Sequence, residues 1–338
     1  MAKKLFLVIG NGFSIDFIRY IGRHDDIDVI NLFNYGADVP WPVTGTPGFL
    51  SRKHCPNLWS LGARPAMDGA EGLALIEDII TCANIDASKR HSGGVSNQSN
   101  IYGMAYKELV QYLRHLFVYY NCAIPDIPDS IEDWKWARYL MNCVNSDEYS
   151  EITIVSYNYD CWLERVFQKI GIPFKIGLID ANNHGIKITL IKPHGSITFI
   201  HKTSLDMESY SVGYERDLWD GSIGDFTAEY NNLARNHLVT ALIPPAGESG
   251  RFQHAWSTQL RTEAKSRAAQ MSVSDEIMVC GMSYWHVDRA ELDELFNSFN
   301  SQIEIALVNP RPSRTLTAVL TSSFPKFVLY PSARILRP

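Results

Sequence analysis

No two of the six cysteines (Cys55, Cys82, Cys122, Cys143, Cys161, Cys280) have the C-x-x-C spacing of a zinc knuckle, and none lies between Gly195 and Met278. Scattered over 338 residues, they read as reduced, mostly buried thiols and not as a disulfide framework. Basic residues are outnumbered: 31 Lys and Arg against 37 Asp and Glu leave a formal net charge of -6. That balance argues against a surface built to neutralise many phosphates, so nucleic acid is not an expected partner. No stretch approaches the roughly 20 apolar residues of a membrane-spanning helix. Met-Ala-Lys-Lys followed by Leu5–Ile9 is too short for a signal sequence, and Gly10 and Asn11 interrupt it at once. A cytoplasmic protein without membrane contact is expected. Internal repeats and heptad arrays are missing as well.

What is present suits an ordinary globular chain. With 46% hydrophobic and 20% charged residues, it can bury a sizeable core in one large or two modest domains. Leu5–Ile9 reads as a buried first strand, followed by a helix starting within Ser14–Tyr20. Pro40, Pro42, Gly45, Pro47 and Gly48 then impose irregular structure to about Pro65, expected to be a long loop over the site. Helical periodicity follows at about 70–83, 101–120 and 131–144, with polar Ser88–Asn100 reading as a mobile connection. Strand patterns at Ile152–Ser156, Ile186–Ile191, Leu238–Ile243, Glu276–Gly281 and Ile303–Val308 alternate with helices at Asp160–Ile170, about 252–270 and Asp288–Asn300. Such alternation predicts an α/β fold, a Rossmann-like doubly wound parallel sheet with helical and loop insertions.

Polar and glycine residues recur where these strands should end, which is where open parallel sheets bind ligands. Gly10-Asn11-Gly12-Phe13-Ser14 lets the backbone turn tightly at a helix start where amides can face a pyrophosphate, or merely ends a strand. The third glycine of the dehydrogenase fingerprint is absent, and Asp25, Asp26 and Asp28 make only a loose case for a ribose-binding acid. In Ser156-Tyr157-Asn158-Tyr159-Asp160, the Asn158 amide can hold a ribose hydroxyl or position water, while Asp160 can cap the next helix and orient its neighbours; capping alone would also explain both. Lys192-Pro193-His194-Gly195-Ser196 places an imidazole, able to take a proton near neutral pH, in a constrained bend. Cys280-Gly281-Met282-Ser283 and Asn309-Pro310 complete the series.

In this order, the set resembles the NAD-binding core of the sirtuin family, in particular the bacterial sirtuin-like NAD hydrolases of antiphage defence. That family carries a G-A-G-x-S type loop, a T-x-N-x-D segment, an H-G motif, a G-x-S loop and a late asparagine around NAD. The matching residues here are Gly10, Gly12 and Ser14; Asn158 and Asp160; His194 and Gly195; Gly281 and Ser283; and Asn309. The resemblance implies a single NAD-binding domain over residues 1–338, with a helical insertion at about 66–148 and another at about 202–236. It implies that the loop Gly10, Asn11, Gly12, Phe13 and Ser14, together with Ser283, holds the pyrophosphate. Asn309 would contact the adenosine ribose, Asp160, Gly195 and Gly281 would complete the dinucleotide site, and Asn158 and His194 would work at the nicotinamide ribose.

NAD+ is then a substrate, cleaved to nicotinamide and ADP-ribose, and no metal is implied. A HerA-type ATPase or a nucleotide-processing companion is the implied regulator, and a homo-oligomer the implied assembly. The chain departs from the family in three ways. It lacks the two zinc-binding cysteine pairs of a typical sirtuin deacylase, so no zinc ribbon is expected. Asn11 replaces alanine, and Tyr157 precedes Asn158. A zinc-free deacylase or ADP-ribosyltransferase, and a non-catalytic NAD or ADP-ribose sensor, are the alternative activities.

Outside these motifs, Trp134, Trp136 and Tyr119-Tyr120 read as core or interface packing. The aromatic stretch with Tyr210, Tyr214, Trp219, Phe226 and Tyr230 reads as a lid, a partner surface or a packed insertion. Trp285, His286 and Asp288 read as a cover for adenine or, for Asp288, a helix cap.

Overall fold

A strand covered by helices on both faces has no solvent side, so its sequence is a continuous apolar run. Leu5–Ile9 is such a run: each residue is at most 1% exposed. In the computed structural model, which describes residues 2–91, 100–180, 185–214, 221–245, 254–284 and 289–336, this strand is the middle of a seven-stranded parallel sheet. In chain order the elements are β1 (Lys3–Ile9), α1 (Asn11–Tyr20), α2 (Pro56–Ser60), α3 (Gly69–His91), α4 (Ile101–Cys122), α5 (Lys135–Asn145), β2 (Tyr149–Ser156), α6 (Trp162–Lys169) and β3 (Phe174–Ile176). There follow β4 (Ile188–Ile191), β5 (Gly195–His201), β6 (Phe226–Ala228), β7 (Thr240–Leu242), α7 (Ala255–Ala269), β8 (Glu276–Cys280), α8 (Arg289–Asn297), β9 (Glu304–Val308), α9 (Arg314–Ser323) and β10 (Phe327–Tyr330).

The sheet runs β10-β9-β8-β1-β2-β4-β3, so the chain builds to one side of β1 and then, from β8 onward, to the other. Register decides what the strand ends share. Ile9 lies beside both Ser156 and Cys280, Cys280 beside Val308, and Val155 beside Ile191. The first residues beyond β1, β2, β4, β8 and β9 therefore emerge at one level along the carboxyl edge, and these are the five motifs.

Three departures from the sequence expectations have physical causes. Leu238–Ile243 contains β7, which pairs antiparallel with β5 in a separate three-stranded sheet, β6-β5-β7, and not in the parallel one. Pro193 and Gly195 read as a bend, yet Gly195 begins β5. Its φ of +83° turns the chain out of the preceding bend, and a Cβ there would lie 1.9 Å from the Ala241 carbonyl oxygen. The irregular segment to Pro65 does not reach the cavity described below. It packs on α4, where the buried Glu108 carboxylate accepts from the Leu58 and Asn57 amides.

The region expected to be a helical insertion, about 66–148, carries α3, α4 and α5, with α3 reaching His91; the rest of the expected mobile connection, 92–99, lies outside the described residues. In the 202–236 segment, Tyr210 and Phe226 are buried, as in a packed insertion, whereas Trp219 lies outside the described residues. Trp134 and Trp136 are core residues. Among the described residues no helix is long and apolar enough to cross a membrane.

Candidate functional site

A cavity of about 550 Å³ opens at the carboxyl edge of the sheet, where the strand order reverses. Its floor comes from four strand ends: Gly10 and Asn11 after β1, Tyr157 to Asp160 after β2, His194 after β4, and Gly281 to Tyr284 after β8. Ser313 and Thr315 at the start of α9, with Arg289 of α8, add polar groups to the lining. Val29, Ile30 and Leu32, Leu73 of α3 and Phe117 of α4 add apolar ones. This mixture of apolar wall and few convergent polar groups, at this size, is that of a small-molecule site.

The loops after β1 and β8 hold each other. Gly10 N donates to Cys280 O and Gly12 N to Gly281 O, both at 3.0 Å. Gly281 has φ +65°, and a Cβ on it would lie 2.4 Å from Phe13 N. Gly281→Ala is therefore expected to cost more than about 2 kcal/mol, from backbone strain and a clash with main chain that cannot yield. Thermal or urea denaturation measures this; a change within about 0.5 kcal/mol would show that the two loops are not rigidly packed.

Asn158 is 8% exposed and is held by a directed chain of hydrogen bonds. Its Nδ2 donates to Gly10 O at 3.0 Å and to Ser14 Oγ at 2.9 Å; Ser14 in turn donates to Asp160 Oδ2 at 2.6 Å. A carbonyl only accepts, so Gly10 fixes which end of the amide is nitrogen. With both amide hydrogens committed, the group Asn158 has to offer a ligand is its oxygen, an acceptor. Asp160 Oδ1 accepts from Trp162 N at 3.1 Å, so this carboxylate both caps α6 and anchors the chain. Burial pushes the Asp160 carboxyl above its ordinary range, and the nearby Lys192 charge and the Ser14 hydrogen bond oppose the rise.

His194 is buried, with Nε2 3.1 Å from Glu291 Oε2 of α8, and its ring meets Tyr157 edge to face at a centroid distance of 4.9 Å. Arg261 of α7 brings its guanidinium to 3.7 Å from the same Glu291 oxygen. Behind the site, Lys192 is fully buried. Its ammonium bonds Glu164 Oε1 at 2.9 Å, Ser196 Oγ at 3.0 Å and the backbone oxygen of Asp160.

Of the residues singled out in the sequence, Gly10, Asn11, Asn158, Asp160, His194, Gly281 and Ser283 line the cavity together. Five others, Gly12, Phe13, Ser14, Gly195 and Asn309, are not among its lining residues. Gly12 packs on Gly281, Phe13 is a core residue against Trp134 and Trp136, and Ser14 meets the cavity through its bonds to Asn158 and Asp160, which line it. Gly195 packs on β7. Asn309 turns the chain after β9, its Oδ1 accepting from Arg311 N, while Ser313 and Thr315 take the cavity wall at that end. Asn11 also braces the wall, donating from Nδ2 to Val29 O at 2.9 Å.

Two of the three acids weighed as ribose ligands are used elsewhere: Asp28 caps the amides of Ile30 and Asn31, and Asp26 pairs with Arg23. Trp285, His286 and Asp288 lie outside the described residues. Glu291, Arg261 and Arg289 were missed because nothing in a helical sequence distinguishes a charged residue facing a site from one facing solvent; the burial of Glu291 is a tertiary fact. Compared with protein-family models and with curated proteins, the chain matches none.

Proposed function

We propose that this chain is an NAD+ glycohydrolase, releasing nicotinamide and ADP-ribose from a site on a Rossmann-like doubly wound sheet. The observation that carries this reading is the convergence of Asn158 and His194 in one cavity at the strand-order reversal, with glycine loops beside them. Supporting it is the carboxylate inventory. Ordinary glycoside hydrolysis uses two carboxyl groups across the bond, one of them as an acid for the leaving group. Among the described residues the one carboxylate lining this cavity is Asp160, and both its oxygens are occupied by Ser14 and the Trp162 amide.

The bond from C1′ to nicotinamide needs no such acid, because its leaving group is already cationic and departs neutral with the bonding electron pair. An acceptor and an imidazole then suffice. Asn158 Oδ1 positions the attacking water or a ribose hydroxyl by accepting one of its hydrogens, and His194 takes the proton released as the new C1′–O bond forms. The hydroxyls of Ser283, Ser313 and Thr315 with Arg289 suit the riboses and phosphates, and the apolar lining suits the nicotinamide ring.

Unchecked loss of NAD is lethal, so this reading includes restraint by a regulator until infection, of the HerA ATPase or nucleotide-processing kind, and a homo-oligomeric cytoplasmic effector of antiphage defence. Incubation with NAD+ and chromatography of the products tests the activity: nicotinamide and ADP-ribose in equal amounts from the wild type, and none from Asn158→Ala or His194→Ala. Tight NAD+ binding without cleavage, with or without the candidate regulator, would assign a sensor instead; transfer to an added protein would assign a transferase.

A further inference from the structure

We infer that Glu291 is the positioning residue for His194, fixing its tautomer so that Nδ1 is the basic nitrogen. Three elements meet here: His194 follows β4, Glu291 lies in the first turn of α8, and Arg261 projects from α7. The His194–Glu291 pair is almost completely buried, each side chain 5% exposed, with Nε2 to Oε2 at 3.1 Å. An ionised carboxylate only accepts, so the ring nitrogen facing it carries the hydrogen. In the neutral ring the lone pair is then on Nδ1.

Arg261, 3.7 Å from the same oxygen, supplies the opposite charge that a buried carboxylate needs. Tyr157, edge to face on the imidazole, restricts rotation of the ring about its own axis. When Nδ1 takes a proton, the imidazolium so formed stands against the Glu291 carboxylate. No proton passes to Glu291, whose part is orientation and charge. The bland alternative, an acid stabilising the first turn of α8, predicts an exposed carboxylate beside backbone amides, and Glu291 is instead buried against a ring from another element.

The inference rests on the glycohydrolase reading for its catalytic consequence, but its structural content is read without any substrate. In protein labelled with 15N-histidine, long-range 1H–15N correlation spectra identify which ring nitrogen of His194 is protonated, the signal being assigned by its loss in His194→Ala. Wild type is expected to show the hydrogen on Nε2. Glu291→Gln, whose amide can donate or accept, is expected to give a mixed or reversed tautomer in a protein that still unfolds cooperatively, and Glu291→Asp to restore the Nε2–H form in part. With NAD+ as substrate, Glu291→Gln should lower kcat between about 10-fold and 10⁴-fold, the span met when the orienting partner of a functional imidazole is lost, with KM within about threefold. A wild-type ring protonated on Nδ1, or a tautomer untouched by Glu291→Gln, overturns the assignment whatever the activity. The expected tautomers in a protein that leaves NAD+ intact uphold it and reject the glycohydrolase reading.

Discussion

Asn158→Asp is expected, on the proposed glycohydrolase reading, to lower nicotinamide release by about 10²–10³-fold, as large an effect as deleting a positioned polar group from an active site, although the side chain keeps its shape. The reason is direction. Asn158 gives one amide hydrogen to Gly10 O and one to Ser14 Oγ, and Ser14 gives its own to Asp160. An aspartate has no hydrogens to give: one oxygen would face the Gly10 carbonyl, and the added charge would stand beside Asp160, itself already pushed up by burial. The side chain must rotate away, and the acceptor that faced the cavity goes with it. Ser14→Ala removes one tether of two, so a loss nearer 10-fold is expected, in kcat more than in KM. Steady-state rates of the three proteins, with melting temperatures to show that each is folded, check the order. An Asn158→Asp protein within threefold of the wild-type rate would mean that the amide hydrogens have no part in the site.

Lys192→Met is expected to be the most destabilising of the substitutions considered, by about 3–5 kcal/mol, because it strands the Glu164 carboxylate in the interior. Lys192 and Glu164 are at most 1% exposed, and their 2.9 Å ion pair is completed by Ser196 and the Asp160 carbonyl. Removing both charges in Lys192→Met/Glu164→Gln should recover most of the loss, since two neutral groups carry little desolvation penalty. The pH dependence follows in sign. Burial raises the Glu164 carboxyl, and Lys192 opposes the rise. Without the lysine the folded-state value climbs further above the unfolded one, so the native state holds a proton where the unfolded chain does not. The deficit of Lys192→Met is therefore fully present above that folded-state value and shrinks as pH falls through it toward the ordinary glutamate range. Urea denaturation at several pH values measures both effects. A double variant no more stable than the single one would show that the lysine acts through packing and not through charge.

The central strands were legible because a parallel sheet buried on both faces imposes one simple pattern, seen in Leu5–Ile9, Ile152–Ser156, Ile277–Cys280 and Ile303–Val308. Edge strands carry no such pattern. Phe174–Ile176 has three residues, and Phe327–Tyr330 leaves Leu329 exposed at the sheet margin, so neither it nor α9 before it was foreseen. Strand β5 was hidden by Pro193 and Gly195, whose turn signals are local while the pairing with β7 is not. Among the site residues, Asn158 and His194 follow apolar runs, a position that capping or a bend explains as well; the order of the five motifs singled them out. Ser14, expected to hold the pyrophosphate, gives and takes its side-chain hydrogen bonds with Asp160 and Asn158.

The sequence by itself determined that the chain is α/β, which runs form the inner strands, and that polar and glycine residues follow five of them. These are consequences of local pattern, legible because burial on both faces and chain reversal each demand particular residue types in succession. Tertiary structure alone decided the rest. Register brings strand ends more than a hundred residues apart to one level, and close approach of the β1 and β8 loops spends two glycine amides on the protein itself. Helix α8 carries Glu291 to His194, and α7 carries Arg261 to Glu291. A hydrogen bond's direction and a carboxylate's burial depend on partners distant in the chain, and no pattern of neighbours along the sequence encodes them.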